Sequence, residues 1–419
     1  MRPVNIRIAR QKVNFALHAN FYRQNPTKIQ VFFTTYEEIK MSIFKNFCVK
    51  GLLSAVLTIG AAAQAQDIRI GGIFPLSGPQ ASLGDVLMSG ANLAVEHVNA
   101  DRMLSGKLSI AFEDSQATPQ RGVIAMNKLV NVDKVPFVLS SYSGVAKAIG
   151  PISQRTKTVT VNGGGTSPDL AELGPYFWNV IPLVNFDVKA IVPYLVKERG
   201  LKRFTLVYID DLMGQSIRKE LEATLPSAGG QLVGALSVPV ALQQFSGIAA
   251  LVRESKPDVV FSASYGAQQV SMLKQLRDNG VTQQLASYAA FSNPEILALP
   301  EAKGALYTTP NFDWNSTDPT TKRFVDDYKA KTGKLPSVYV ATYYNAVRLF
   351  ALLAANLQKK GKSITGENLL AERLVIKTFD FVGGKVAFEA DGTVVAPMQV
   401  NEIDAKGAAK VVAVIPAVR

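Results

Sequence analysis

Cysteine and histidine are nearly absent: of 419 residues one is cysteine, Cys48, and two are histidines. With a single thiol no intrachain disulfide can form, and past residue 65, where no cysteine and one histidine remain, neither a thiol nucleophile nor a paired-histidine metal site has the residues it needs. Cys48 stands ahead of an apolar stretch, where a lipid-anchoring cysteine would have to follow it. No lipid anchor is therefore expected, and the thiol-free remainder suits an oxidising compartment. The chain has no Walker A loop and no dinucleotide glycine fingerprint, so no cofactor is expected and the chain is not read as an enzyme. His97 is expected to be a solvated residue of the first helix. Past residue 65 no apolar run has the length of a membrane span, so the processed chain is expected to be soluble. The formal charge of +12 is mostly a property of the N-terminus: nine of the 45 Lys and Arg and two of the 33 acids lie in 1–65, leaving 36 against 31, a net +5. The remaining basic residues are interspersed with acids, and no nucleic-acid partner is expected.

Residues 41–65 have the layout of a secretory leader. Lys45 and Lys50 supply a positive segment, Gly51–Ala63 an apolar one, and Ala63-Gln64-Ala65 a small-x-small cleavage site before Gln66. A leader belongs at the start of its precursor, so Met41 is the expected start of translation. Residues 1–40 are then an upstream extension, untranslated or disordered. The leader predicts export to the periplasm with cleavage near Ala65/Gln66. The 354 residues that follow exceed what one hydrophobic core usually serves, and two lobes are expected.

Beyond the leader, alternating apolar strands and amphipathic helices predict an α/β fold of two doubly wound parallel sheets. The first series runs from the strand Ile68–Phe74 through the helix 84–99 to the strand 158–161. A second begins at the strand Phe204–Ile209 and ends at Leu285–Ala289. The helices Pro319–Thr332 and Val338–Gln358 are expected to return to the first lobe, and Gly383-Gly384 and Asp391-Gly392 to form hairpin turns. Residues 66–184 and 312–390 are assigned to lobe 1, and residues 185–311 and 391–419 to lobe 2. Such sheets bind ligands at the carboxyl ends of their strands, here in the cleft between the lobes.

Two loops suit a small anion. Ser140-Ser141-Tyr142-Ser143-Gly144 follows a strand and opens a helix, so hydroxyls, N–H groups and the helix dipole converge there; it reads equally as a plain N-cap. Gly163-Gly164-Gly165-Thr166-Ser167-Pro168 lets backbone approach a ligand closely, or serves only as a turn. Asp210-Asp211 reads as a turn and helix cap.

The run Gly72-Ile73-Phe74-Pro75-Leu76-Ser77-Gly78-Pro79, with Gly84-Asp85, Gly90-Ala91 and Ala94–Asn99, resembles the start of the periplasmic leucine/isoleucine/valine-binding proteins. Glu113-Asp114-Ser115, Ser141–Ser143, Gly164–Leu170 and Phe388–Gly392 continue the resemblance in order. It implies a type I periplasmic binding protein fold with a three-crossover hinge, closing as a monomer on a solute that an ABC importer's permease receives. The alternative it leaves is a sensor or receptor module of the same fold that binds amides or related small molecules. By the resemblance Ser143 falls on the carboxylate-binding serine, Thr166 on its threonine, Gly164 on a backbone contact and Tyr265 on the tyrosine that closes over the ligand. Ser141 and Tyr142 belong to the same loop. Three positions depart from the amino-acid pattern. Ala289 stands where an acid should meet the ligand's ammonium, Met213 replaces a cleft tyrosine, and Leu83 replaces an aromatic. A lost charge and a gained apolar lining point to a carboxylate with an apolar or aromatic body, unless Asp210 or Asp211 replaces the missing acid.

Overall fold

The computed structural model describes residues 67–417. The leader and the proposed start at Met41 lie outside the described residues.

The inner strands of the first sheet are buried on both faces, as a sheet covered by helices requires. Strand β1 (Ile68–Phe74) leads into helix α1 (Ala81–Ala100), then β2 (Leu108–Asp114), α2 (Pro119–Asn131), β3 (Phe137–Ser140), α3 (Ser143–Thr156), β4 (Val159–Asn162) and β5 (Phe177–Asn179). These strands pair in the order β2-β1-β3-β4-β5, and every pairing is parallel.

The second sheet is built the same way. Helix α4 (Val184–Pro193) enters it, followed by β6 (Arg203–Ile209), α5 (Leu212–Ala228), β7 (Gln231–Val238), α6 (Ser246–Glu254) and β8 (Val259–Ala263). Then come α7 (Gly266–Asp278), β9 (Gln284–Ser287), the single turn α8 (Pro294–Leu297) and β10 (Leu306–Pro310). The chain next returns to the first lobe as α9 (Pro319–Thr332), α10 (Val338–Lys359) and α11 (Gly366–Ile376). A small antiparallel sheet of β11 (Thr378–Phe381), β12 (Gly384–Phe388) and β13 (Val394–Val395) follows, and Gly383-Gly384 and Asp391-Gly392 sit at its two turns. Last, β14 (Met398–Ile403) pairs antiparallel with β10 and β15 (Ala409–Ile415) antiparallel with β14, giving the order β15-β14-β10-β9-β8-β6-β7.

The third passage between lobes differs from the expected boundary at 390/391. Asn179 N–H donates to Gly392 O at 2.8 Å and β13 pairs with β12, which ties residues up to Val395 to the first lobe. The chain therefore crosses at Ala396-Pro397.

Helix α10 is long and apolar enough to cross a membrane by length and composition, but 83% of its apolar window is buried in the fold. It is the central helix of the first lobe. Its backbone lies against α1 at Gly90, where a Cβ would stand 2.1 Å from Val340 O. His97 is not solvated, as expected from its place on an amphipathic helix, but buried. Its Nδ1 is 2.8 Å from Tyr344 Oη and its Nε2 is 3.0 Å from Asp327 Oδ2, so it joins α1 to α9 and α10. Burial holds its pKa below the usual histidine value.

Candidate functional site

The carboxyl ends of β3 and β4 place two loops side by side, and the cavity between the lobes begins there. Tyr142, at the N-cap of α3, has φ 64° and ψ 131°, a backbone region that costs a non-glycine residue energy. That turn aims the start of α3 at the loop after β4. Gly165 lies so close to it that a Cβ would stand 2.9 Å from Ser143 N.

The loop after β4 is held from below. Asn162 Oδ1 accepts from Gly165 N at 2.7 Å, and its Nδ2 donates to Gly165 O at 2.7 Å and to Asn179 Oδ1 at 2.8 Å. Thr342 Oγ1 donates to Gly163 O at 2.6 Å. These bonds leave Ser143 as the pivot. Its Oγ accepts from Thr166 N at 3.0 Å and from Ser167 N at 3.1 Å. A hydroxyl has two lone pairs and one hydrogen, so Ser143 has only its O–H left to offer. The backbone N–H groups expected to meet an anion from the glycine loop are instead used internally. Thr166 adds a hydroxyl to the same wall. Ser141 Oγ donates to Ile73 O at 3.1 Å and is fully buried, so its hydroxyl serves the fold.

The opposite wall comes from the second lobe. Asp211 caps α5, accepting from Gly214 N at 2.8 Å, as the cap reading expected. Its other oxygen accepts from Tyr265 Oη at 2.6 Å. Burial raises the Asp211 pKa, opposed by its hydrogen bonds to Gly214, Tyr265 and Met213. Asp210 is exposed and accepts from Gln215. The lobes touch across the cavity: Tyr142 and Tyr265 meet edge to face with centroids 5.3 Å apart, and the Ser167 and Ser216 hydroxyls are 2.8 Å apart.

The space between these walls is about 430 Å3, counting its open mouth. Ser141, Tyr142, Ser143, Gly164, Thr166, Leu83, Met213 and Tyr265 all line it. Ala289 does not. It is buried in the short turn Ala289–Ser292, and its N–H donates to Asp187. Gly165 of the second loop lines the space as well, and so do Leu87 and Tyr339, which sequence reasoning missed. Among the described residues the wall has one carboxylate, Asp211, and no Lys, Arg or His. It can therefore hold a small anion only through hydroxyls and the α3 N-terminus, at the end away from Asp211.

Asp187 lies behind this wall, fully buried, with its carboxylate accepting from Thr308 Oγ1 at 2.8 Å. Burial pushes its pKa up to about 7. Between roughly pH 4 and 7 the folded chain thus keeps a proton that the unfolded chain releases, and this group's contribution to stability falls as pH rises. His97, held below its usual value, acts in the opposite sense. The melting temperature of Asp187→Asn should therefore gain on that of the unaltered chain as calorimetry moves from about pH 5 to pH 8. A constant difference would contradict the burial argument.

Comparison with known proteins agrees with this architecture. The periplasmic binding protein family profile matches residues 67–408. A Leu/Ile/Val-binding protein homologue of Brucella melitensis is 28% identical over 323 residues, covering 74% of this chain and 85% of the relative. A leucine-binding protein of Thermotoga maritima superposes with a TM-score of 0.76 at 21% identity, covering 83% of this chain and 99% of that one. An R. palustris ABC transporter solute-binding protein in complex with benzoate also gives a TM-score of 0.76, at 17% identity, covering 84% of this chain and 98% of its own. The two lobes, their sheets and the linking segments are those of the type I periplasmic binding protein fold.

Proposed function

The chain belongs to the periplasmic binding protein family, and from that premise we propose that it captures a small carboxylate-bearing solute outside the cytoplasm for an ABC-type importer. The observation that carries this reading is Ser143. Two N–H groups at 3.0 and 3.1 Å occupy its lone pairs, which leaves its hydrogen to be donated. The solute's carboxylate sits there, beside Thr166 and the N-terminus of α3. Its body lies among Leu83, Leu87, Met213 and the tyrosines. Its far end meets Asp211 and Tyr265 when the lobes close.

Asp211 takes the place of the acid missing at Ala289. With no cation in the wall, its carboxylate suits a hydrogen-donating group, either the ammonium of an amino acid or a hydroxyl on an aromatic ring. Of the related proteins, one is named for leucine, which has an amine, and the other is in complex with benzoate, which has none. Their common group is the carboxylate. Delivery to a membrane permease, location in the periplasm and action as a monomer complete the proposal.

Isothermal titration of Asp211→Asn distinguishes the two far-end groups. For an ammonium-bearing solute, affinity should fall roughly tenfold or more, since a charged partner is lost. For a hydroxyl-bearing or amine-free acid the loss should stay near threefold or below, because Asn still accepts one hydrogen bond. Unchanged affinity for every solute bound would remove Asp211 from the site.

A further inference from the structure

A second depression shares no lining residue with the cleft. Its walls come from the segment after β9, the link that leaves β10, the connection between α9 and α10, and the β14–β15 turn. It is a groove of about 1250 Å3, counting its open mouth. The wall thus includes both lobes and one of the segments joining them.

Three features describe what would fit. Phe312 and Trp314 stack on each other with ring centroids 3.8 Å apart and planes at 29°, an aromatic pair that a third ring would extend from an outer face. Leu335, 56% exposed, adds apolar surface. Lys334 and Lys406 belong to the wall, and among the described residues no acidic side chain lines it. The carboxylate closest in sequence to Lys406, that of Asp404, is engaged by the backbone N–H groups of Lys406 and Ala408 at 2.8 and 2.9 Å. Finally, Ser292 Oγ is buried in this wall without a hydrogen-bond partner, an unmatched polar group of the sort a ligand satisfies. We propose that this groove is a second ligand site, for a planar aromatic anion whose ring extends the Phe312–Trp314 stack and whose charge faces Lys334 and Lys406.

The aromatic anion 1-anilinonaphthalene-8-sulfonate is a suitable probe, titrated by its own emission and by quenching of tryptophan. Of the chain's two tryptophans Trp178 is fully buried, so quenching lost in Trp314→Phe is assigned to the groove. Binding should saturate near one equivalent. It should weaken roughly tenfold when Lys334→Glu and Lys406→Glu are combined, since two attractions become repulsions. Ala298→Phe fills the groove from an exposed position and should also weaken binding, with little risk to folding. Ser143→Ala should leave it unchanged. The proposal is overturned if the lysine and Ala298 variants bind the probe as the unaltered chain does. It is overturned equally if Ser143→Ala weakens binding as much as they do, which would place the probe in the cleft.

Discussion

Ser143→Ala should weaken capture of a carboxylate solute by about 1–3 kcal/mol, a loss of roughly five- to 150-fold in affinity. Two effects add. The ligand loses its O–H donor, and the N–H groups of Thr166 and Ser167 lose their acceptor in a buried place. The second effect also loosens the glycine loop that shapes the anion end of the cleft. Ser143→Thr separates them, because it keeps the hydroxyl while adding a methyl group to a tight helix start. If Thr restores binding more than stability, the hydroxyl acts on the ligand. If both variants bind as the unaltered chain does, the carboxylate is held elsewhere.

Gly90→Ala should cost about 3 kcal/mol or more in stability, the upper range for forcing atoms into a packed interior. A Cβ there would lie 2.1 Å from Val340 O and 2.9 Å from Val340 C, and these are backbone atoms of a buried helix that cannot rotate away. Either α1 or α10 must shift, and both contribute to the cleft, through Leu83 and Leu87 on one and Tyr339 on the other. Solute affinity should therefore fall along with stability. Gly247→Ala is the comparison: a Cβ there meets nothing within 4 Å, so urea unfolding should show no loss. Equal midpoints for the two variants would contradict the packing of α1 on α10.

Much of this architecture was legible because strands and helices alternate with clean periods. The helix Pro319–Thr332 begins after an Asp cap and ends before Gly333, and both signals are visible in the residues. Helix α11 escaped notice because its face is mixed: Glu372 and Arg373 are buried alongside Leu369. Arg373 lies over the Trp178 ring at 4.9 Å, a tertiary contact that local sequence does not encode. Strand β5 is only three residues long.

The site divides in the same way. Glycine and serine loops at strand ends are rare enough in kind to stand out, and they supplied Ser143, Gly164 and Thr166. Leu87 and Tyr339 did not stand out, because a side chain facing a cavity and one facing a core obey the same helical spacing. Asp187 lies in the first turn of a mostly apolar helix, where it reads as a plain N-terminal acid. Only the fold brings it to the N–H of Ala289, behind the cleft. The burial of His97 is hidden in the sequence for a related reason: its partners Asp327 and Tyr344 are more than 200 residues away.

The central claim is that the cleft recognises a carboxylate at Ser143. Residues 66–419, nearly the whole of the compact unit Ala65–Arg419, can be unfolded and refolded to remove carried-over solute. Melting temperature is then recorded with branched-chain amino acids and aromatic acids, each paired with its methyl ester. A solute at 100 times its dissociation constant adds about 2.7 kcal/mol, enough to raise the melting temperature by a few degrees. The account predicts that the acids which shift the transition lose that effect as esters, and lose most of it in Ser143→Ala. An ester that stabilises the chain as strongly as its parent acid would contradict it.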